Sequence, residues 1–175
     1  MAFKRKTGQV PMEWISAFRT KTANEGFTSE TIDFDLDDDE VAEIKMVDFE
    51  CELAIPAVVI DEASYAANQG LFTDPSFAAA DPFGAVAYED IEQLCNQHYR
   101  LVIDVNATAG LVNAIVTASN NKVMNFPEPG LLIANNLSWI TGFDVVIGMD
   151  YGVRIYFKRR KAGSDELART LLKRR

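Results

Sequence analysis

Over much of this chain hydrophobic and polar residues alternate with a period of two, and three short stretches carry a helical spacing instead. From Thr31, Ile32, Phe34 and Leu36 alternate with Asp33, Asp35 and Asp37. After the Asp38-Asp39-Glu40 turn, Val47, Phe49, Cys51, Leu53 and Ile55 alternate with Asp48, Glu50, Glu52 and Ala54. Residues two apart share one face of a strand, so each run buries an apolar face and leaves an acidic face in water. Such strands suit an antiparallel sheet with one solvated side, because strands covered on both sides are apolar throughout. Pro56, Asp74-Pro75 and Asp81-Pro82 predict a loop-rich stretch from about 61 to 84.

The second half repeats the pattern in shorter pieces. Tyr99, Leu101, Ile103 and Val105 share one side of a strand, and Leu111 to Ala118 follows a turn. Leu131 to Ala134, Ser138 to Thr141, Phe143 to Ile147 and Val153 to Lys158 are separated by Pro127, Pro129, Gly130, Asn135-Asn136, Gly142 and Gly148. Roughly eight short strands with Gly, Pro and Asn turns predict a mainly β protein, an antiparallel β sandwich of jelly-roll type.

The helical stretches lie near the ends and in the middle. Pro11 suits a first helical position, and Trp14, Ile15 and Phe18 then share a face, which predicts a short amphipathic helix. Val86 to His98 places Ala87, Ile91, Leu94, Cys95 and His98 on one side and predicts one internal helix. Ser164 caps a final helix with Asp165 and Glu166 at its positive end and an apolar stripe of Leu167, Leu171 and Leu172. The expected organisation is an N-terminal arm over 1–30, a sandwich body over 31–158 and a basic C-terminal tail over 159–175.

Charge sharpens this division. Residues 1–21 carry Lys4, Arg5, Lys6, Arg19 and Lys21 against Glu13, a net of +4. Residues 154–175 carry nine basic residues, among them Lys158, Arg159, Arg160, Lys161, Lys173, Arg174 and Arg175, against Asp165 and Glu166, a net of +7. The middle is left at −20 within an overall charge of −9. An acidic body with basic ends can grip the acidic surface of a neighbouring copy, or reach a polyanion that the body repels. Trp14, Ile15, Phe18, Leu167, Leu171 and Leu172 are the expected contacts to another subunit or a membrane.

Catalytic patterns are missing from the sequence. A single histidine, His98, excludes multi-histidine zinc sites, and there is no nucleophile elbow, Walker loop or dinucleotide-binding glycine motif. Cys51 and Cys95 lie far apart in apolar patterns and read as small core residues. Asp33-x-Asp35-x-Asp37-Asp38 starts like a calcium loop, but its sixth position is Asp38 rather than glycine and its twelfth is Ile44 rather than glutamate. No cofactor, metal or small-molecule substrate is expected, and no enzymatic activity. Neither a secretory signal nor an apolar run of membrane-spanning length is found.

The basic arm Met1-Ala-Phe-Lys-Arg-Lys6, the strand-rich body and the basic segment from Tyr156-Phe-Lys-Arg-Arg-Lys161 through Leu171-Leu-Lys-Arg-Arg175 resemble, as a layout, the jelly-roll coat proteins of icosahedral viruses. The resemblance implies a structural protein of the virion that assembles with copies of itself and other shell proteins. Its termini would extend beneath neighbours or towards genome or an internal membrane. Because the body is acidic, unlike coat proteins with a basic inner face, genome or membrane contact falls to the tails alone. The alternative is an adaptor or spike-base module forming a small fixed oligomer.

Overall fold

The computed structural model describes residues 11–21, 28–53, 63–73, 93–103, 121–134, 136–143 and 149–167. Among them nine strands follow one another: β1 (Glu13–Lys21), β2 (Thr28–Ile32), β3 (Glu40–Leu53), β4 (Ala63–Phe72), β5 (Gln93–Ile103), β6 (Asn121–Asn125), β7 (Leu131–Ile133), β8 (Leu137–Phe143) and β9 (Met149–Lys161). One sheet has the order β1-β9-β3-β6, with β7 also on β3, and the other has the order β2-β8-β4-β5. Every pairing is antiparallel. The pairing is nested: β1 with β9, β2 with β8, β3 with β6 and β7, β4 with β5. A long hairpin folded over onto two layers gives this order, which is that of a jelly roll.

The period-two pattern explains what lies between the sheets. Val47, Phe49 and Cys51 of β3 and Tyr151, Val153, Ile155 and Phe157 of β9 pack against Ile32, Leu71, Leu137 and Trp139 of the second sheet. Phe34 and Phe157 meet edge to face at 5.1 Å. A bulge in β3 between Ile44 and Met46 changes the parity, so Ala42 and Ile44 are core residues before it and Val47 and Phe49 after it. The opposing edge is split at the same level, with β6 on residues 46–50 and β7 on 42–44. Lys45 fastens the connection between them: Nζ donates to Glu43 at 2.6 Å, to Glu128 at 2.5 Å and to the Pro129 carbonyl at 3.1 Å.

A polar belt crosses the inner face of the second sheet. Gln97, Gln69, Thr141 and Thr28 are cross-strand neighbours in that order, and the first three are buried. Gln69 Nε2 donates to the Gln97 side chain and to the Glu50 carbonyl of the first sheet, both at 2.7 Å, and Gln69 Oε1 accepts from the indole of Trp139 at 3.2 Å. Tyr151 makes a second tie between the sheets, its hydroxyl donating to the Gly142 carbonyl at 2.8 Å.

Several sequence expectations are corrected. The predicted helix over 11–21 is the strand β1. Nine residues make a marginal helix in water, whereas here they pair along their length with β9. The predicted helix over 86–98 is β5 where it is described, from Gln93 onward, while 86–92 lie outside the described residues. β4 occupies the stretch expected to be loop. β8 continues through Gly142, where a break was expected, and β6 (Asn121–Asn125) is a strand with no counterpart among the expected ones. The final helix expected from Ser164 is helical where it is described, over 164–167, with the amides of Glu166 and Leu167 donating to the Gly163 carbonyl, while 168–175 lie outside the described residues. Among the described residues no helix is long and apolar enough to cross a membrane.

Candidate functional site

Among the described residues, the outward face of the first sheet carries the most exposed aromatic side chains. A strand sends successive side chains to opposite faces, so β1 separates the residues that a helix would have grouped. Ile15 and Ala17 pack against the core. Trp14 and Phe18 point the other way and are 61% and 69% exposed. Among the described residues β1 has β9 as its one neighbour, so its other side is a sheet edge.

Register fixes what surrounds these rings. Trp14 lies beside Tyr156, Ser16 beside Arg154 and Phe18 beside Gly152 on β9; Arg154 and Gly152 in turn lie beside Asp48 and Glu50 on β3. The face therefore offers two aromatic rings on an edge strand, then a guanidinium and a glycine, then two carboxylates. Arg154 turns towards the rings: its guanidinium stands 5.4 Å from the Trp14 ring centroid and donates to the Tyr156 hydroxyl at 3.5 Å. That hydrogen bond, with Asp48 and Glu50 at longer range, holds the Arg154 guanidinium above its ordinary pKa. Between Phe18, Gly152 and the two carboxylates lies a cleft of about 160 Å³. One oxygen of Asp48, Oδ1, is buried there without a hydrogen-bond partner.

The basic residues expected to form a free tail are placed differently. Lys158, Arg159, Arg160 and Lys161 belong to β9. Arg159 donates to the Asp35 and Phe34 carbonyls at 2.8 and 3.1 Å and lies 3.5 Å from Glu13. Arg160 grips Glu166 through two hydrogen bonds of 2.9 and 2.5 Å, and Lys161 meets Asp39 at 2.7 Å. The acidic 33–40 stretch is thus partly neutralised by the end of the chain's own last strand. Leu167 stands with Leu36 at a groove of about 670 Å³ along that stretch. Lys4, Arg5, Lys6, Leu171, Leu172, Lys173, Arg174 and Arg175 lie outside the described residues.

Other candidates are settled by burial and spacing. Cys51 and Cys95 are both buried free thiols, and burial pushes Cys51 up to about 12, so it is inert at neutral pH. Among the described residues no group of three or more His, Cys, Asp or Glu is arranged to hold a metal ion. Sequence reasoning missed Gly152 and the pairing of Asp48 with Arg154, since the relative register of β1, β9 and β3 is not written in any one segment. The alternation of Gly152, Arg154, Tyr156 and Lys158 against Val153, Ile155 and Phe157 was the available signal.

No family model matches the sequence, and no curated protein is similar to it. Solved structures do resemble the chain. One of VP1 of Merkel cell polyomavirus, in complex with disialyllactose, has a TM-score of 0.38 at 9% identity, covering 91% of this chain and 99% of that one. VP1 of trichodysplasia spinulosa-associated polyomavirus, in complex with sialylated glycooligomers, has a TM-score of 0.36 at 9% identity, covering 90% and 97%.

Proposed function

We propose that the chain is a non-enzymatic structural protein that self-assembles, a coat or other shell component of a virion, and that the outward face of β1 and β9 is a contact between subunits. The observation that carries this reading is the exposure of Trp14 and Phe18 on the same outward face of β1, an edge strand among the described residues. Large aromatic rings left in water are favourable to bury, and an edge strand also presents unpaired amides and carbonyls that a second chain can complete. A jelly-roll body supplies the rigid wedge on which such a face is useful, although the fold alone hosts many functions. Residues 1–10 and 168–175, basic overall, supply the contacts to genome or membrane that the acidic body disfavours.

Sedimentation velocity and mass photometry on the full chain test this. The wild type is expected to form larger species as concentration rises. A Trp14→Ser, Phe18→Ser double variant is expected to keep its melting temperature, because both rings are exposed, and to shift to monomer. Each ring lost from an interface centre weakens association by about 2 kcal/mol. A wild type that is monomeric at every concentration overturns the proposal, and one small fixed oligomer marks an adaptor instead of a shell.

A further inference from the structure

The two edges of the first sheet are built differently. One is broken into β6 and β7, of five and three residues, with Pro127 and Pro129 between them. Short and interrupted strands discourage a second chain from pairing there. The other, among the described residues, is β1, whose nine residues keep one unbroken register with β9 from Glu13 to Lys21. No bulge or proline interrupts it. Glu13 and Arg19, half-buried on its inner side, already lie 3.5 Å from Arg159 and 2.8 Å from Glu30. Along the outward side Trp14, Ser16, Phe18 and Thr20 are exposed. Phe18 stands beside Gly152, which offers no side chain, so among the described residues its ring has no cross-strand partner and is 69% exposed. Cross-strand side-chain pairs are what stabilise a sheet, and this ring lacks one.

We infer that β1 pairs antiparallel with β1 of a second copy about a two-fold axis at Ser16, joining the first sheets of two subunits into one. This rests on the self-assembly reading above and states which edges meet and in what register. The sequence of β1 is complementary to itself in that register. Outward, Trp14 faces the partner's Phe18 and Phe18 faces the partner's Trp14, so each ring gains an aromatic cross-strand neighbour. Inward, Ile15 faces the partner's Ala17, and Glu13 faces the partner's Arg19, opposite charges on one face. Symmetry makes each of these contacts twice. A slip of two residues is the smallest that keeps inner and outer faces matched. It would set Trp14 against the partner's Ser16 or Thr20 and Glu13 against the partner's Ala17 or Lys21, and so part the two rings.

Cysteine crosslinking of the full chain tests the register, since directly opposed residues bring their Cβ atoms within about 4.5–5.5 Å, near what a disulfide spans. Cys51 and Cys95 are buried and take no part. Under mild oxidation, Ser16→Cys is expected to convert most of the chain to a covalent dimer at concentrations where the wild type associates. Met12→Cys and Thr20→Cys, opposite each other in this register, are expected to crosslink at least about tenfold faster when mixed than either does alone, because pairing raises the effective thiol concentration. All three positions are exposed, so the melting temperatures are expected to match the wild type. Ser16→Cys that crosslinks no faster than Met12→Cys alone, while the wild type associates, overturns the edge pairing and leaves self-assembly standing. Met12→Cys or Thr20→Cys that crosslinks alone as fast as the mixture overturns the register. A wild type that never associates in sedimentation, or that gathers only on anionic vesicles, overturns both readings.

Discussion

Replacing Gln69 with methionine isolates what the polar belt contributes to joining the two sheets. Gln69 donates to Gln97 and to the Glu50 carbonyl, and accepts from Trp139, whose side chain is fully buried. Methionine keeps the length and volume of the side chain but makes none of these bonds. The indole N–H of Trp139 then loses its acceptor inside the sandwich, which costs about 1–3 kcal/mol, and the lost bonds to Glu50 and Gln97 add roughly 0.5–1.5 kcal/mol each. The expected loss is about 2–6 kcal/mol, a large share of the roughly 5–15 kcal/mol that holds a domain of this kind folded. Gln69→Ala should cost about 1–2 kcal/mol more, because it also leaves a cavity. Urea unfolding followed by tryptophan fluorescence reads the loss, since Trp139 passes from a dry interior to water. A methionine variant within about 0.5 kcal/mol of wild type, the scatter of ordinary surface changes, would refute the reasoning. The belt would then be an accommodation of polar residues rather than a tie. The outcome bears on the candidate site, because the Glu50 carbonyl that Gln69 holds lies behind the cleft.

Two further predictions concern the turn and the end of the chain. Gly130 has a φ of +85°, and a Cβ there would stand 2.7 Å from the Ile44 carbonyl oxygen, so Gly130→Ala is expected to cost about 1–3 kcal/mol in chemical denaturation; an unchanged midpoint would show that the turn between β6 and β7 yields without cost. The hydrogen bond from Arg160 holds the Glu166 carboxyl below its ordinary pKa. A carboxyl whose pKa is lower folded than unfolded stabilises the fold above its unfolded value, about 4.3, and loses that contribution as pH falls through the folded value. The melting-temperature difference between wild type and Glu166→Gln should therefore be constant from neutral pH to about 5 and shrink in stronger acid; a difference that grows on acidification would contradict the ion pair.

How much of this was legible in the sequence depends on the range of the interaction involved. The alternation at Val47, Phe49 and Cys51 and at Val153, Ile155 and Phe157 identified core faces directly, because a strand's two faces are local properties of its residues. The same reasoning failed at Trp14, Ile15 and Phe18. Three apolar residues at i, i+1 and i+4 fit a helix and a strand alike over so short a segment, and pairing with β9 decided between them. Arg159, Arg160 and Lys161 read as a basic tail, yet the alternation of β9 runs on into them; the acidic 33–40 stretch that receives Arg159 and Lys161 lies about 120 residues away in sequence, and Arg160 turns to Glu166.

The sequence by itself determined the class of this protein, a mainly β sandwich with acidic faces and basic ends, because side-chain period, turn residues and charge are all read within a few residues. Only the tertiary structure decided the nested strand order, the division of Trp14 and Phe18 from Ile15, and the cleft at Gly152. Each of these depends on which strand lies beside which and in what register. Register follows from the summed packing of two whole sheets and the bulge at Lys45, and no single segment carries that sum.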